Sequence, residues 1–177
     1  MAKEPTGTGV RRAALGDAEA IYALVKSNSD LLIPRSLGGI VEAIDRFFIA
    51  ECEGEMAGCA SYQIHPEFGA PEAATVELVS VAVETAFRRR GVGRRLVAAA
   101  LSAVKALGLK EAVVLTYAPE FFATFGFAEI PKTKVMHKLY TGCINCTKHT
   151  DPFTCPEKAM VLRLEDDPPA ALRAKPL

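Results

Sequence analysis

The chain has 177 residues, half of them hydrophobic, which is enough for one domain that buries its own core. Lys plus Arg equals Asp plus Glu at 21 each, so no overall field favours a nucleic acid or a membrane surface. No apolar run is long enough to span a bilayer, no secretory signal is evident, and the five cysteines are an odd number. We therefore expect a cytoplasmic protein with reduced thiols.

The N-terminal part of the chain predicts one strand and two amphipathic helices. Residues 1–8 are expected to be flexible, and residues 9–13 favour a short first strand. Asp17 is placed to cap one helix, and Ser36 is placed to cap the next. Apolar residues recur at helical spacing as Ile21, Leu24 and Val25 in the first helix, and as Ile40, Val41, Ile44 and Phe47 in the second.

A hairpin, a loop and a third strand are predicted next. Residues 48–52 and 56–63 favour two strands joined by a turn at Glu53-Gly54-Glu55. Residues 65–73 contain two prolines and a glycine, which indicates a loop. Residues 75–83 then carry valines at a period of two, which predicts an apolar strand.

A basic loop with two glycines follows this strand and precedes a helix. It reads Arg88-Arg-Arg-Gly91-Val-Gly93-Arg94-Arg95, and apolar residues at helical spacing begin at Leu96. The N-terminus of a helix offers unpaired N–H groups to a phosphate, and glycine lets the phosphate approach the backbone. The loop is not a P-loop, because Arg94-Arg95 stand where a P-loop has Lys-Ser or Lys-Thr after its second glycine. It is not a dinucleotide-binding fingerprint either, because Leu96 stands where the third glycine is required. A basic surface turn without a ligand is the alternative to a phosphate loop.

The remaining segments complete the predicted elements. Residues 111–116 favour a fifth strand, residues 120–125 a short helix, and residues 127–130 the start of the last sheet region. Residues 166–177 are expected to form a flexible tail.

Two motifs together resemble the GNAT family of acetyl-CoA-dependent N-acetyltransferases. The loop Arg88-x-x-Gly91-x-Gly93, directly after an apolar strand, is similar to the family's pyrophosphate loop. Phe121-Phe122-x-x-x-Gly126-Phe127 is similar to the Phe-Tyr-x-x-x-Gly-Phe pattern of many members. The resemblance implies an α/β (α+β) GNAT fold, with a mixed, mostly antiparallel central sheet and helices on both faces. A single domain over residues 9–165 is expected.

An ordered set of segments looks like the short N-acetylglutamate synthase type within that family. The segments are Leu31-Leu-Ile-Pro-Arg35-Ser36, Phe47-Phe-Ile-Ala-Glu51, Gly58-Cys-Ala60, Glu77-Leu-Val-Ser-Val-Ala-Val83, and Val114-Leu-Thr116 leading into Glu120-Phe-Phe122. Enzymes of this type acetylate the α-amine of L-glutamate in the first step of arginine biosynthesis, and they are often dimers. Full-length members carry an amino-acid-kinase domain, for which this chain has no room, so arginine feedback through that domain is not expected.

The resemblance assigns roles to the apolar strand and the loop. Acetyl-CoA is expected to bind along Val81, Val83, Arg88, Arg89, Gly91, Val92, Gly93 and Arg94. A bulge in the strand leaves the backbone N–H of Val81 to polarise the acetyl carbonyl. Glu77 is the implied base, acting directly or through water, and a solvated strand end is the alternative for that residue.

Two further positions concern the acceptor and the leaving group. Arg35 matches the cation that holds a glutamate carboxylate, although it can equally be a surface arginine beside a helix cap. Ser80 is expected to line the acetyl site. Phe122 stands where the family often has an acidic tyrosine, and phenylalanine donates no proton. Water or another group such as Tyr117 must therefore protonate the thiolate.

The C-terminal segment 137–160 leaves several alternatives open. Cys143, Cys146, His149 and Cys155 can be zinc or iron ligands, reduced structural thiols or a redox-regulated set, so a metal stays undecided. The better-known synthases end in an Arg-Lys-Ser element that helps hold glutamate, and Ala159-Met160-Val161 stands near that place here. Another amine acceptor, such as a polyamine, a drug or a protein terminus, is therefore an alternative, as is a non-catalytic acyl-CoA sensor.

Overall fold

The computed structural model describes residues 9–66, 73–136, 143, 146, 148–149 and 151–164. The predicted flexible ends and much of segment 137–160 lie outside these residues. The described elements are β1 (Gly9–Arg12), α1 (Ala18–Ser27), α2 (Leu37–Glu42), β2 (Phe47–Cys52), β3 (Glu55–His65), β4 (Thr75–Val83), α3 (Val92–Ala106), β5 (Glu111–Thr116), α4 (Pro119–Ala123), β6 (Ala128–Ile130) and β7 (Lys158–Arg163). None of the helices among them has the length and apolar character that crossing a membrane requires.

The chain forms two compact units. β4 begins in the second unit and ends in the first, and α3 begins in the first unit and ends in the second. The first unit contains residues 1–63 and 78–103. Its strands follow the order β1-β2-β3-β4, and β2 pairs antiparallel with both β1 and β3. One apolar core cluster of this unit joins α1, α2 and three strands, and it is made of Ala18, Ile21, Leu24, Val25, Ile40, Phe47, Ile49, Cys59 and Ala82.

The turn between β2 and β3 confirms the predicted hairpin. Glu53 has a φ of +57° and Gly54 has a φ of +84°. Two successive residues in the left-handed region are typical of the turn that matches the twist of a tight hairpin. Glycine at the second position adopts this conformation without steric cost.

Ser36 caps α2 as predicted, because its hydroxyl accepts a hydrogen bond of 3.0 Å from the Gly39 N–H. The predicted extent of this helix is wrong. α2 ends at Glu42, a 3-10 turn spans Ile44–Arg46, and Phe47 opens β2 opposite Ser61. Phe47 is fully buried, so its place in the sheet outweighs the helical spacing of the local sequence.

Asp17 also differs from its predicted role. Its side chain makes no capping bond to α1. It instead accepts a hydrogen bond of 2.7 Å from the Ala14 N–H, at the start of the preceding 3-10 turn, and one of 2.8 Å from Arg11. The hydrogen bond from Arg11 lowers the pKa of Asp17 below its usual value. The Asp17 side chain therefore bonds to the backbone of Ala14 instead of capping α1.

The second unit contains residues 64–77 and 104–177, of which the described part forms its own sheet region and core. β4 pairs parallel with β5, while β7 lies between β5 and β6 and is antiparallel to both. Val113, Val135 and Ala159 form one core cluster of this unit. The sequence analysis did not predict strand β7, because the strands that it pairs with, β5 and β6, lie far before it in the chain. The predicted mixed, mostly antiparallel sheet is confirmed.

Gly58 in β3 marks a close approach of three elements in the first unit. A Cβ atom there would lie 2.7 Å from the Ala82 carbonyl oxygen in β4. It would also lie 3.0 Å from Leu96 Cδ1 and 3.3 Å from Val92 Cγ1, both in the first turns of α3. No side chain fits at this position without moving the backbone or the helix.

We predict that Gly58→Ala destabilises the protein by about 1–3 kcal/mol, because the added methyl overpacks β3 against β4 and α3. Gly38→Ala is the matched control, since a Cβ there meets nothing within 4 Å and Gly38 lies in a helix, where alanine is favoured. Urea unfolding of both variants measures the difference. A Gly58→Ala protein as stable as the wild type would contradict the close approach.

Candidate functional site

Hydrogen bonds link the loop between β4 and α3 to neighbouring elements. The Glu84 N–H donates to the Ala57 carbonyl at 2.9 Å. The exposed Arg88 guanidinium donates to the Val83 carbonyl at 3.3 Å and to Asn28 Oδ1 at 3.0 Å. Arg88 therefore links the end of β4 to the end of α1, a structural contact that the sequence did not reveal.

The loop turns into α3 through two residues with left-handed backbone. Arg89 has a φ of +62° and Gly91 has a φ of +78°. α3 begins at Val92, which is buried, and the Arg95 N–H donates to the Gly91 carbonyl at 3.1 Å. The backbone N–H groups of this first turn lie at the positive end of a 15-residue helix, an arrangement that suits a phosphate.

Positive charge surrounds this helix start. Arg89, Arg90 and Arg94 are exposed, so their guanidinium groups lie at the surface of the loop. Arg90 stacks over the Phe87 ring, with 5.4 Å between the guanidinium carbon and the ring centroid. The buried Phe87 ring therefore anchors the base of the loop.

Strand β4 carries a backbone irregularity at the position where a bulge is predicted. Ser80 has a φ of +54°, although it is neither glycine nor asparagine. Left-handed backbone is uncommon for such a residue and is found at the first residue of one type of β-bulge. Val81 and Val83 follow, both half-buried, with the buried Ala82 between them. The role predicted for the Val81 N–H stays a prediction.

Arg35 and Ser80 are in direct contact. Arg35 Nε donates to Ser80 Oγ at 2.7 Å, Ser80 is buried, and Arg35 is half-buried. Cys59 Sγ lies beside this pair and donates to the Ser80 carbonyl at 3.4 Å. Burial raises the pKa of the Cys59 thiol to about 12, although the Ala82 backbone and the Arg35 charge oppose that rise. Arg35 is therefore held against β4 by Ser80, and its role toward a glutamate carboxylate stays a prediction.

Glu77 is buried, with 3% of its side chain exposed. Its Oε2 lies 3.1 Å from Nε2 of His65, which is itself 6% exposed. The alternative of a solvated strand end is therefore wrong. A buried carboxylate requires hydrogen-bond partners, and the imidazole of His65 lies within hydrogen-bond distance.

His65 is a residue that the sequence analysis did not assign to the site. It was predicted to start a loop, whereas it is the last residue of β3. The available signal was the carboxylate of Glu77 in an otherwise apolar strand, which had to have a polar partner nearby. Which residue supplies that partner depends on strand pairing, which the sequence pattern does not specify.

Tyr117, which directly follows β5, contacts two of the suspected metal ligands. Its hydroxyl lies 3.4 Å from His149 Nε2 and 3.9 Å from Cys155 Sγ. Burial, followed by the hydrogen bond to Cys155, raises the pKa of Tyr117. Cys143, Cys146 and Cys155 carry free thiols. In the part of the chain that the structure describes, no three His, Cys, Asp or Glu side chains could together hold a metal ion.

Phe122 is buried in an aromatic cluster of α4 and the segment after it. Its ring packs edge-on against Phe121 at 5.1 Å and Phe127 at 5.6 Å between centroids. Edge-to-face pairs of this kind add to the free energy of burial. The position that the resemblance associates with a tyrosine acid is therefore used here for packing.

Sequence comparisons identify a family and several relatives. Residues 22–127 match the sequence model described as the acetyltransferase (GNAT) family. An uncharacterized N-acetyltransferase of Chlorobaculum tepidum is 34% identical over 159 residues, which cover 89% of this chain and 97% of that protein. An amino-acid acetyltransferase of Mycobacterium tuberculosis is 33% identical over 136 residues, or 74% of each chain.

Structural comparisons agree with the sequence comparisons. A Mycobacterium tuberculosis protein solved in complex with CoA has a TM-score of 0.70 and 27% identity, with 88% of this chain and 98% of that chain covered. N-acetylglutamate synthase from Neisseria gonorrhoeae, complexed with coenzyme A and N-acetyl-glutamate, has a TM-score of 0.71 and 26% identity. That match covers 92% of this chain and 36% of the synthase.

We predict that Gly91→Glu weakens CoA binding by about 2 kcal/mol or more, because it adds bulk and negative charge at the start of α3. Gly108→Glu is the matched control. Gly108 follows the other end of α3 with a φ of +74°, and a Cβ at either glycine meets nothing within 4 Å. Both variants therefore carry comparable backbone strain. Calorimetry that finds wild-type CoA affinity in folded Gly91→Glu would contradict the assignment of the loop.

Proposed function

This chain belongs to the GNAT family and is an acetyl-CoA-dependent N-acetyltransferase, and we propose that its acceptor is the α-amine of L-glutamate. The product is then N-acetylglutamate, the first intermediate of arginine biosynthesis. The observation that carries this proposal is the half-buried Arg35 held at 2.7 Å by Ser80. The likeness to an amino-acid acetyltransferase and to an N-acetylglutamate synthase supports it.

Arg35 is suited to a carboxylate for reasons of charge and placement. It lies between α1 and α2, one residue before the cap of α2, so its backbone is held close to a rigid element. The hydrogen bond from its Nε to Ser80 orients the planar guanidinium beside β4. An oriented, partly desolvated guanidinium binds a carboxylate more strongly and more selectively than a flexible surface cation does.

In this proposal, acetyl-CoA lies along β4 and the loop that follows it. The pyrophosphate is bound by the first turn of α3 and by the arginines of the loop, chiefly through the amides of Val92 and Gly93. Val81 and Val83 line the pantetheine arm, since both are half-buried and alternate with the buried Ala82. Relatives solved with CoA support this cofactor.

Glu77 is the proposed general base. The acceptor amine is a cation at neutral pH and has no lone pair for attack until it loses a proton. Glu77 lies on the same strand as Val81, four residues earlier, and carries the only carboxylate within β4. We assign the proton transfer to its carboxylate, acting directly or through one water molecule.

The chemical step follows by direct attack in a ternary complex. The neutral amine adds to the thioester carbonyl carbon, and the Val81 N–H donates to the carbonyl oxygen as negative charge develops there. Collapse of the tetrahedral intermediate breaks the C–S bond and releases the CoA thiolate. The nitrogen, which became positively charged on attack, loses its second proton to water, and water protonates the thiolate. Glu77 then releases the first proton to solvent, so one proton is released per turnover. Phe122 has no proton to donate, and the raised pKa of Tyr117 makes that hydroxyl a poorer acid.

The cytoplasmic location and the homodimer stay predictions.

We predict that L-glutamate is the preferred acceptor in a screen of amino acids and polyamines that follows free thiol release from acetyl-CoA. Arg35→Ala should raise the KM for glutamate by about 10- to 100-fold, the effect of losing one charge-assisted contact. The KM for acetyl-CoA should remain nearly unchanged, because the contact is made with the acceptor only.

Arg35→Lys and Ser80→Ala serve as matched variants for this prediction. Lysine keeps the charge without the planar fork, so the KM for glutamate should rise by less than in Arg35→Ala. Ser80→Ala removes the bond that orients the guanidinium and should raise that KM modestly. An equal effect of Arg35→Ala on both substrates, or a better acceptor than glutamate, would refute the proposed acceptor.

We predict that Glu77→Gln lowers kcat at pH 7 by about 100-fold or more, because the amide keeps the size of the side chain and loses its basicity. Activity should recover partly as the pH rises, since more of the acceptor is then already a free amine. The affinity for acetyl-CoA should stay unchanged. Wild-type kcat and pH profile in this variant would show that the base lies elsewhere.

A further inference from the structure

We propose that His65 is a positioning residue for the base, holding the Glu77 carboxylate in the orientation that accepts the acceptor's proton. This inference rests on the proposed function, in which Glu77 is that base. His65 acts through its hydrogen bond to Glu77 and contacts neither substrate.

The contact between the two side chains is short and buried. His65 Nε2 lies 3.1 Å from Glu77 Oε2, and the side chains are 6% and 3% exposed. A carboxylate accepts hydrogen bonds but does not donate them. With Glu77 as the base, Nε2 of His65 is therefore the donor in this contact.

Burial explains why a base at this position needs such a donor. A carboxylate shielded from water is disfavoured unless hydrogen-bond donors replace its lost hydration. By donating to Oε2, His65 supplies one of the hydrogen bonds that burial from water removes.

The same bond restricts the orientation of the carboxylate. Pairing of β4 with β5 sets the backbone of Glu77, which stands opposite Val113. The side chain of glutamate still has three rotatable bonds, and the backbone does not fix them. His65, at the end of β3, supplies a second point of attachment for this side chain. Such restraint lowers the entropy lost when reacting groups come into line.

A double-mutant cycle tests the proposal. His65→Phe keeps a ring and removes the donor, while His65→Gln keeps an N–H donor. We expect His65→Phe to lower kcat by about 10- to 100-fold with little change in the KM for acetyl-CoA, and His65→Gln to retain most of the activity. In a Glu77→Gln background, His65→Phe should lower kcat no further, because the group it acts through is gone.

A merely structural role for His65 predicts a different pattern. His65→Phe would then lower kcat by the same factor in both backgrounds, and this additive result would overturn the proposal. Wild-type kcat in folded His65→Phe would also overturn it. Urea unfolding measures the stability of each variant, and His65→Met takes the place of His65→Phe if that protein does not fold.

The same set of measurements also tests the proposed function separately from the role of His65. Thiol release by the wild-type enzyme with glutamate tests the acceptor, and the single variant Glu77→Gln tests the base. If glutamate is not acetylated, the cycle is measured with the acceptor that the screen identifies. If Glu77→Gln retains wild-type kcat, the base assignment fails, and the role of His65 fails with it.

Discussion

The absence of a side chain at Gly58 allows β3, β4 and α3 to approach one another closely. A Cβ there would lie 2.7 Å from the Ala82 carbonyl oxygen and 3.0 Å from Leu96 Cδ1. The first turns of α3 therefore pack directly on β3 and β4. The hydrogen bond from the Glu84 N–H to the Ala57 carbonyl fixes the start of the loop between β4 and α3 against β3. The position of the predicted phosphate loop depends on this packing, because a loop is only as well placed as the elements that it connects.

Strand β4 combines an apolar sequence with polar side chains that are each matched to a partner. Ser80 is bonded to Arg35, and Glu77 is bonded to His65. In the described residues, every fully buried side-chain nitrogen or oxygen has a hydrogen-bond partner. Polar groups inside a sheet are tolerated on this condition, and a position where it is met can carry chemistry without loss of the fold.

The C-terminal part of the domain departs from the synthase pattern for a structural reason. Ala159 and Met160 lie in β7 and are buried, with 1% and 3% exposed. Residues at such positions pack within the sheet and core, so they are not available to hold the carboxylates of a substrate. Phe122 is buried in its aromatic cluster in the same way. Recognition of the acceptor carboxylate therefore depends on Arg35 in the function that we propose.

Local features of the structure could be predicted from the sequence by itself. The hairpin turn at Glu53-Gly54, the helix cap at Ser36 and the glycine loop before α3 each follow from periodicity, capping or permitted φ over a few residues. Contacts between distant residues could not. Arg35 and Ser80 are 45 positions apart, and His65 and Glu77 are 12 apart. Only the tertiary structure decided these pairs, the burial of Glu77 and the position of β7 between β5 and β6. Strand pairing and burial depend on which segments meet in space, and the local spacing of residues does not specify which segments meet.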